Sequence, residues 1–148
     1  MNKQQRWLKR KLAIIIAKKK QLKIFMGYIL QLENDNWYVG ITERGTDRLY
    51  EHFCGLGAKW TKLHKPVTIH RVEYIGSNIS SASAWEKKTT LEMMCQKGYK
   101  HVRGYQWCHI DMPQRPQELI SILAKKLATE WTSNLQPLTS PIFQFNLQ

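Results

Sequence analysis

The chain has 148 residues, a length typical of one domain with short extensions. Apolar residues make up 43% of it and six are tryptophans, a composition that excludes a wholly disordered chain. The formal net charge is +12, and residues 1–23 contribute +9 of it, because they hold nine lysines and arginines and no acid. This concentration of positive charge favours a polyanionic partner, nucleic acid first and an anionic membrane surface second.

The longest apolar run, residues 12–17, is far shorter than the roughly 20 residues that a transmembrane helix needs. It is also too short for a secretory signal, and a triple lysine follows it. The three cysteines, Cys54, Cys95 and Cys108, are an odd number without CxxC spacing. We therefore expect a cytoplasmic protein with no transmembrane segment and no disulfide-linked partner.

The first predicted element is a basic helix over about residues 3–20. We expect its apolar stripe to dock on the domain or on a partner while the lysines face outward. The alternative is a solvated or frayed tail that only aids solubility. The stripe consists of Trp7, Leu8, Leu12, Ile15 and Ile16.

A β-hairpin is predicted after this arm. Residues 24–33 and 37–42 are rich in apolar and aromatic side chains, and the Asn-Asp-Asn sequence between them is strong turn chemistry. The hairpin places Tyr28 and Tyr38 on paired strands.

A short helix follows the hairpin. Thr46 and Asp47 can cap its start, and it is predicted to run to about residue 53. Arg48 and His52 then stand four positions apart on one face of this helix.

The rest of the chain is predicted to alternate loops with regular elements. In order, these are a loop at 54–66, a strand at 67–75, a helix at 82–96 ended by Gly98, a loop or short strand at 99–112, a helix at 117–131 and a loosely packed tail at 132–148.

The predicted fold is α+β, with a small, mostly antiparallel three-stranded sheet flanked by helices. A basic N-terminal helix and a C-terminal helix are appended to it. The predicted parts are a basic helical arm at 1–23, a central domain at 24–112, and a C-terminal helix and tail at 113–148.

Five residues in the central domain stand at intervals that suit one chemistry. Hydrolysis of a phosphodiester needs a base for the attacking water, positive charge for the phosphoryl oxygens and help for the leaving group. Phenols, an imidazole, a guanidinium and a metal-binding carboxylate can supply these functions. The five residues are Tyr28, Tyr38, Arg48, His52 and Glu86.

This spacing resembles that of the GIY-YIG nuclease family, named after two tripeptides on neighbouring strands. The second tripeptide is Tyr-Val-Gly at residues 38–40, and the first is present in degraded form at 26–28. Ten residues separate the two tyrosines, Arg48 lies eight residues after the second tripeptide, and His52 four further on. Glu86, on the helix after the third strand, matches the family's metal-binding acid.

The resemblance covers roughly residues 24–110, and residues 55–66 resemble the small single-domain bacterial branch of the family. Two departures stand out. Gly27 occupies a position where a larger residue usually precedes the first tyrosine. The asparagine that many members keep after the metal-binding helix is missing, and His101 and Gln106 are the candidates for its role.

The resemblance implies a metal-dependent endonuclease. Glu86 would hold one Mg²⁺, which Mn²⁺ can replace, with water and phosphate completing the coordination. Arg48 would fork onto two phosphate oxygens. Tyr28 is the first candidate for the general base and Tyr38 the second, while His52 would relay that proton or bond to the phosphate.

Basic and aromatic residues predict the nucleic-acid surface, because lysines meet phosphates and aromatic rings stack on exposed bases. For Trp60 an equally open alternative is that it anchors its loop to the core. The residues predicted to bind nucleic acid are Lys59, Trp60, Lys62, His64, Lys65, Arg103, Lys9, Arg10, Lys18, Lys19 and Lys20.

Each catalytic candidate also has a plain structural alternative. The tyrosines could pack across the hairpin, and His52 could be a surface or packing histidine. Arg48 could pair with Glu51 or Glu43, and Glu86 could pair with Lys87 or Lys88.

We therefore expect a metal-dependent endonuclease that acts on nucleic acid, with DNA favoured over RNA. Its cleavage should be structure-specific or weakly sequence-specific, since no separate sequence-reading module is apparent. The alternative is a non-catalytic nucleic-acid-binding module of the same fold. A third hypothesis is an interaction or membrane-surface protein that works through residues 1–23.

Overall fold

A computed structural model describes residues 2–20 and 23–134 of the chain. Two short 3₁₀ turns, Glu33–Asp35 and Tyr99–His101, precede the second and fourth strands. The helices and strands within these residues are, in chain order, α1 (Lys3–Lys20), β1 (Phe25–Leu32), β2 (Trp37–Thr42), α2 (Thr46–Phe53), α3 (Lys59–Leu63), β3 (Pro66–Gly76), α4 (Ile79–Lys97), β4 (Val102–Arg103) and α5 (Gln117–Asn134).

The strands form one mixed sheet in the order β3-β1-β2-β4. β1 pairs antiparallel with β2 and β3, and β2 pairs parallel with β4. The predicted α+β class and hairpin are confirmed, but the sheet has four strands where three were predicted. β4 is two residues long, so its sequence carries no alternation that could reveal it. It is a strand only because it meets Trp37 and Tyr38 across the fold.

Three helix boundaries differ from the prediction. The predicted cap by Thr46 and Asp47 is wrong, because both residues lie inside the first turn of α2. α4 begins three residues early, because the Asn78 side chain accepts hydrogen bonds from two backbone N–H groups of its first turn. α5 runs to Asn134, so the start of the predicted tail is helical, and residues 135–148 lie outside the described residues.

The predicted loop at 54–66 contains α3, a helix of five residues. Trp60 and Thr61 within it expose only 5% and 1% of their surfaces. A helix this short is not stable by itself. Burial of these two side chains therefore explains α3, and local propensity does not.

Both faces of β1 and β2 are buried, whereas most of β3 is exposed. Successive side chains of a strand point to opposite faces, so β1 and β2 contribute to two separate core clusters. One cluster contains Tyr28, Leu30, Leu32 and Tyr38 with Leu49 of α2 and Trp60 of α3. The other contains Ile29, Trp37, Val39, Leu91, Met93, Met94, Val102 and Leu119. The two tyrosines thus share the face that α2 and α3 cover.

The predicted basic helix is confirmed as α1, but its apolar stripe does not dock on the domain. Ala17 is the buried residue of α1. None of the helices in residues 2–20 and 23–134 has the length and apolar content needed to cross a membrane. The stripe residues, each 44–60% exposed, are Trp7, Leu8, Leu12, Ile15 and Ile16.

Candidate active site

The two predicted tyrosines lie side by side in the core. Tyr28 exposes 1% and Tyr38 7% of its surface, and their ring centres are 6.3 Å apart. Gly40 is the partner of Tyr28 in the β1–β2 register, and a Cβ there would lie 2.5 Å from the Tyr28 hydroxyl. The first tyrosine therefore requires a glycine in the second tripeptide.

His52 is fully buried and joins Tyr28 to α3. Its Nε2 atom lies 2.8 Å from the Tyr28 hydroxyl and its Nδ1 atom 2.9 Å from Thr61 Oγ1. The backbone at Gly57 passes very close to the imidazole of His52. A Cβ at this position would lie 2.2 Å from Nδ1, so the position requires glycine. The surface alternative for His52 is wrong, and both ring nitrogens are hydrogen-bonded.

The Thr61 hydroxyl fixes the tautomer of His52. It donates to the carbonyl oxygen of Ala58 at 2.9 Å. A hydroxyl has one proton to donate, so Thr61 can only accept from His52. The network therefore assigns the imidazole proton to Nδ1 and leaves Nε2 to accept the Tyr28 proton. Tyr28, His52 and Thr61 form one directed chain of hydrogen bonds.

Burial keeps both partners of the Tyr28–His52 hydrogen bond uncharged at neutral pH. It raises the pKa of Tyr28 to about 12, against the opposing charge of Arg48. Burial, followed by the Arg48 charge, lowers the pKa of His52 to about 4. Burial and the neighbouring Tyr28 also raise the pKa of Tyr38. His52 is thus a neutral acceptor and Tyr28 a protonated donor.

Arg48 is half-buried beside the tyrosines. Its Nη1 atom donates to Glu51 Oε2 at 2.8 Å, and Arg44 Nη2 donates to the same oxygen at 2.8 Å. These hydrogen bonds lower the pKa of Glu51 to about 2. The ion pair considered as an alternative is therefore present. The Arg48 charge nevertheless lowers the pKa values of Tyr28 and Tyr38. Arg48 therefore pairs with Glu51 and also acts electrostatically on the two phenols.

Glu86 approaches the tyrosines from α4. Its Oε1 atom accepts a hydrogen bond from the backbone N–H of Tyr105 at 3.3 Å. Burial raises the pKa of Glu86, and the hydrogen bond from Tyr105 opposes this shift. The Glu86 charge in turn raises the pKa values of Tyr28 and Tyr38. The carboxylate therefore acts on the phenols electrostatically.

The alternative partners of Glu86 are not used. Within the described residues neither Lys87 nor Lys88 forms an ion pair with it, and Lys88 pairs with Glu92 at 3.9 Å. Across residues 2–20 and 23–134, no group of three or more His, Cys, Asp or Glu side chains could hold a metal ion. A single carboxylate suits Mg²⁺, which keeps several waters and takes phosphate oxygens as further ligands.

Two phenols, an imidazole, a guanidinium and a carboxylate thus meet in one place. The family model described as the GIY-YIG catalytic domain matches residues 25–100, just over half of the chain, and includes all five residues. The chain belongs to the GIY-YIG nuclease family. Neither the curated proteins nor the solved structures gave a significant match. The family predicted from the residue spacing is confirmed.

One departure of this GIY-YIG domain from the family pattern has a structural compensation. A Cβ at Gly27 would lie 2.3–2.5 Å from ring atoms of Trp85. The indole therefore fills the space that a larger residue 27 would occupy. Trp85 directly precedes Glu86, so this packing helps to set where α4 presents its carboxylate.

The candidates for the missing asparagine lie elsewhere. His101 Nδ1 is 3.2 Å from Asn36 Oδ1, and Asn36 Nδ2 is 3.1 Å from His64 Nδ1. Gln106 is exposed on the loop after β4. No hydrogen bond links His101 or Gln106 to Glu86 in the described part of the chain, so nothing supports that role for them.

Trp60 anchors its segment to the core, which is the alternative considered for it above. Its indole Nε1–H donates to the carbonyl oxygen of Trp37 at 3.2 Å, and the Arg103 guanidinium lies 4.1 Å from its ring centre. A ring that is 95% buried cannot stack on a base. The prediction that Trp60 faces the substrate is wrong, since it anchors α3 to the sheet.

Arg103 was predicted to contact nucleic acid, but it exposes only 2% of its surface. Its guanidinium holds the loop after β4, the loop that carries the Tyr105 N–H to Glu86. The surface role is wrong, and Arg103 supports the site indirectly. It donates at 2.6–3.2 Å to the carbonyl oxygens of Tyr99, Lys100, Val102, His109 and Ile110.

The predicted lysines remain on the surface. Lys59 and Lys62 are exposed on α3, the helix whose Thr61 contacts His52. Lys59 also lines a cleft of about 470 Å³ together with the loop after β4. His64 is half-buried against Trp60, with ring centres 4.3 Å apart. The other exposed residues of the prediction are Lys65, Lys9, Arg10, Lys18, Lys19 and Lys20.

Sequence reasoning gave no role to Thr61 and treated Glu51 only as a competitor for Arg48. Thr61 stands in the same loop as the lysines, but a threonine carries no spacing rule. Its role depends on where α3 packs against α2, which local sequence does not encode. Glu51 could have been found as the i+3 neighbour of Arg48 on α2.

Proposed function

We propose that this GIY-YIG domain is a metal-dependent endonuclease that hydrolyses phosphodiester bonds of DNA. The observation that carries the proposal is the hydrogen-bonded chain from Tyr28 through His52 to Thr61. Arg48 and Glu86 act electrostatically on the same phenol. A buried phenol that donates to a neutral histidine can pass its proton on as it takes one from water.

Tyr28 is the general base in this proposal, ahead of Tyr38. The Tyr28 oxygen accepts a proton from the attacking water while its own proton moves 2.8 Å to His52 Nε2. The charge then rests on the imidazolium, whose Nδ1–H stays bonded to Thr61. The ring of Tyr38 packs 4.9 Å from that of His52, but no comparable hydrogen bond joins them within the described residues.

Arg48 stabilises the charge that develops on the phosphoryl oxygens. Its guanidinium keeps its charge at all working pH values and can bind two oxygens at once. Glu51 holds one nitrogen at 2.8 Å, which fixes the side chain and leaves the other N–H groups for phosphate. Donors aligned in advance in this way are among the largest contributions to catalysis.

Glu86 would hold Mg²⁺, for which Mn²⁺ can substitute, through a carboxylate oxygen. When bound, the metal supplies positive charge to the phosphoryl and leaving oxygens. The Tyr105 N–H orients the carboxylate and favours its ionised form, the form that binds metal.

DNA would lie across α3, with Lys59, Lys62 and Lys65 on its phosphates. Contacts of this kind position a duplex without reading its sequence. We therefore propose structure-specific or weakly sequence-specific cleavage, with DNA favoured over RNA. The basic residues of α1 are further candidates for phosphate contact. The cytoplasmic location stays a prediction from the cysteine pattern.

A cleavage assay tests this function. Single-stranded, duplex, flapped and four-way DNA would be incubated with the protein, with and without Mg²⁺. Glu86→Ala should abolish metal-dependent cleavage, whereas Glu92→Ala, which removes an exposed carboxylate from the same helix, should leave it intact. Cleavage by Glu86→Ala at the wild-type rate would refute the proposed mechanism.

The second candidate function is a non-catalytic nucleic-acid-binding module. The exposed lysines of α1 and α3 favour it, because they would bind phosphates whether or not the site is active. Gel shifts that weaken steeply with salt, without cleavage in either Mg²⁺ or Mn²⁺, would select this function.

A further inference from the structure

The outer side of α1 presents an apolar surface that the nuclease fold does not use. Ala17 is buried, and Ala13 and Ile14 are half-buried. Successive side chains of an α-helix are rotated by about 100° around the helix axis. The side chains at positions 8, 12 and 15 therefore point about half a turn away from that of Ala17. We call these residues, with their neighbour Ile16, the outer stripe: Leu8, Leu12, Ile15 and Ile16 are 53%, 58%, 60% and 44% exposed.

The outer stripe has the spacing of a docking face. Its positions i, i+4, i+7 and i+8 align four large side chains along one side of the helix. The single side chain that α1 buries, Ala17, is small and gives the helix little stabilisation. A contiguous apolar surface on so weakly held a helix marks an interaction site.

The charges of α1 indicate which kind of partner covers the outer stripe. Residues 2–20 carry eight lysines and arginines and no acid. A second copy of the helix would bring like charges together. DNA would meet the lysines but leave the apolar side chains in water. An anionic lipid surface satisfies both, since its acyl region takes the apolar stripe and its headgroups take the lysines.

We propose that α1 lies flat in the surface of an anionic membrane, with the outer stripe toward the acyl chains. On the helix, Lys11 and Lys18 border the stripe on one side and Lys9 and Lys20 on the other, where lipid phosphates would lie. The Trp7 ring lies 4.4 Å from Lys11 Nζ, on the outer side of the lysines that border the stripe. Tryptophan favours the headgroup region. The outer stripe contains none of the five catalytic candidates, and the membrane proposal does not depend on nuclease activity; only the lysines of α1 are also candidates for contact with DNA phosphates.

The test uses the full-length chain and vesicles. Wild-type protein should sediment with vesicles that contain about one third phosphatidylglycerol and not with pure phosphatidylcholine. The double variant Leu12→Gln with Ile15→Gln keeps the charge and the helix propensity. It should bind the anionic vesicles about 10–100-fold more weakly, as expected for lost apolar burial. Its DNA affinity and cleavage rate should not change.

A matched control comes from α5. Leu127→Gln removes a leucine that is 67% exposed, outside α1, and should leave vesicle binding intact. Three results would overturn the proposal. Wild-type protein could fail to sediment with anionic vesicles, or the double variant could sediment equally well, so that charge alone binds. Light scattering could also show that the wild-type protein is a dimer and the double variant a monomer, in which case a second copy covers the stripe.

Discussion

The two halves of the proposed active site are built differently. The buried half, Tyr28, His52 and Thr61, is almost sealed from water, and its polar atoms bond to one another. The open half, Arg48 and Glu86, is only half-buried, and each side chain is held by a hydrogen-bonding neighbour. The residues proposed to transfer protons are therefore positioned before substrate arrives, while the two charged residues stay accessible to it.

This difference follows from the chemical role proposed for each half. Proton transfer needs an acceptor at hydrogen-bond distance, and neutral groups tolerate burial when they are hydrogen-bonded. A charged group that must bind phosphate or metal cannot be buried without a partner, so it stays at the mouth of the site. Substitutions in the buried half should lower kcat alone, and those in the open half should also weaken binding.

Tyr28→Phe should have the largest effect. It keeps the ring in the core but removes the base, so kcat should fall about 10²–10⁴-fold with little change in KM. Single-turnover cleavage would measure the loss. Tyr50→Phe, at a tyrosine of α2 that is 72% exposed, is the control. A Tyr28→Phe enzyme with normal kcat would exclude Tyr28 as the base.

Arg48→Ala should have the second largest effect. Loss of one donor to the transition-state charge costs about 10²–10³-fold in kcat, and DNA affinity should fall as well. Arg48→Lys should recover little of the loss, because lysine lacks the planar fork. Arg71→Ala removes an exposed, ion-paired arginine from β3 and should behave as wild type. Full activity in Arg48→Lys would mean that only a positive charge is needed there.

Thr61→Val should lower kcat about 10–100-fold, because an unpaired buried N–H costs about 1–3 kcal/mol. His52 would then move its proton from Nδ1 to Nε2 and stop accepting from Tyr28. The ¹⁵N chemical shifts of the imidazole report the tautomer directly, whether or not the protein cleaves DNA.

Thr61→Ser should restore both the tautomer and the rate, and Thr68→Val, at an exposed position of β3, is the control. A His52 tautomer that is the same in Thr61→Val and wild type would disprove the positioning role of Thr61.

The smallest expected effect is on stability as a function of pH. Because the pKa of His52 is lowered to about 4 in the folded state, the unfolded chain binds more protons between pH 6.5 and 4. The contribution of His52 is present above pH 6.5 and is lost as the pH falls toward 4. Urea unfolding at pH 7 and pH 5 should reveal a loss of roughly 1–2 kcal/mol that His52→Gln removes. Equal pH dependence in both proteins would show that His52 titrates normally.

The predictable part of the site rests on local spacing. Tyr28 and Tyr38 follow from a hairpin with a strong turn, and Arg48 and His52 from two positions one helical turn apart. Glu86 depended on the family spacing, because a single glutamate on a helix carries no pattern of its own. These residues could be named in advance because short-range geometry relates each one to its neighbours along the chain.

The surface predictions failed where burial decided the outcome. Trp60 and Arg103 are residue types that often bind nucleic acid, yet one anchors α3 and the other holds a loop. Composition cannot distinguish an aromatic or basic side chain that faces solvent from one that fills a gap between elements. Their environments depend on contacts between segments that are far apart in sequence.

The sequence by itself determined the hairpin, the helical pair of Arg48 and His52, and the strong positive charge of α1. Each of these depends on residue type and on spacing within one or two turns of chain. Only the tertiary structure decided the fourth strand, the tautomer of His52 through Thr61, and the outward direction of the α1 stripe. Those features arise where distant segments meet, and the free energy of burial and hydrogen bonding there has no counterpart in local sequence.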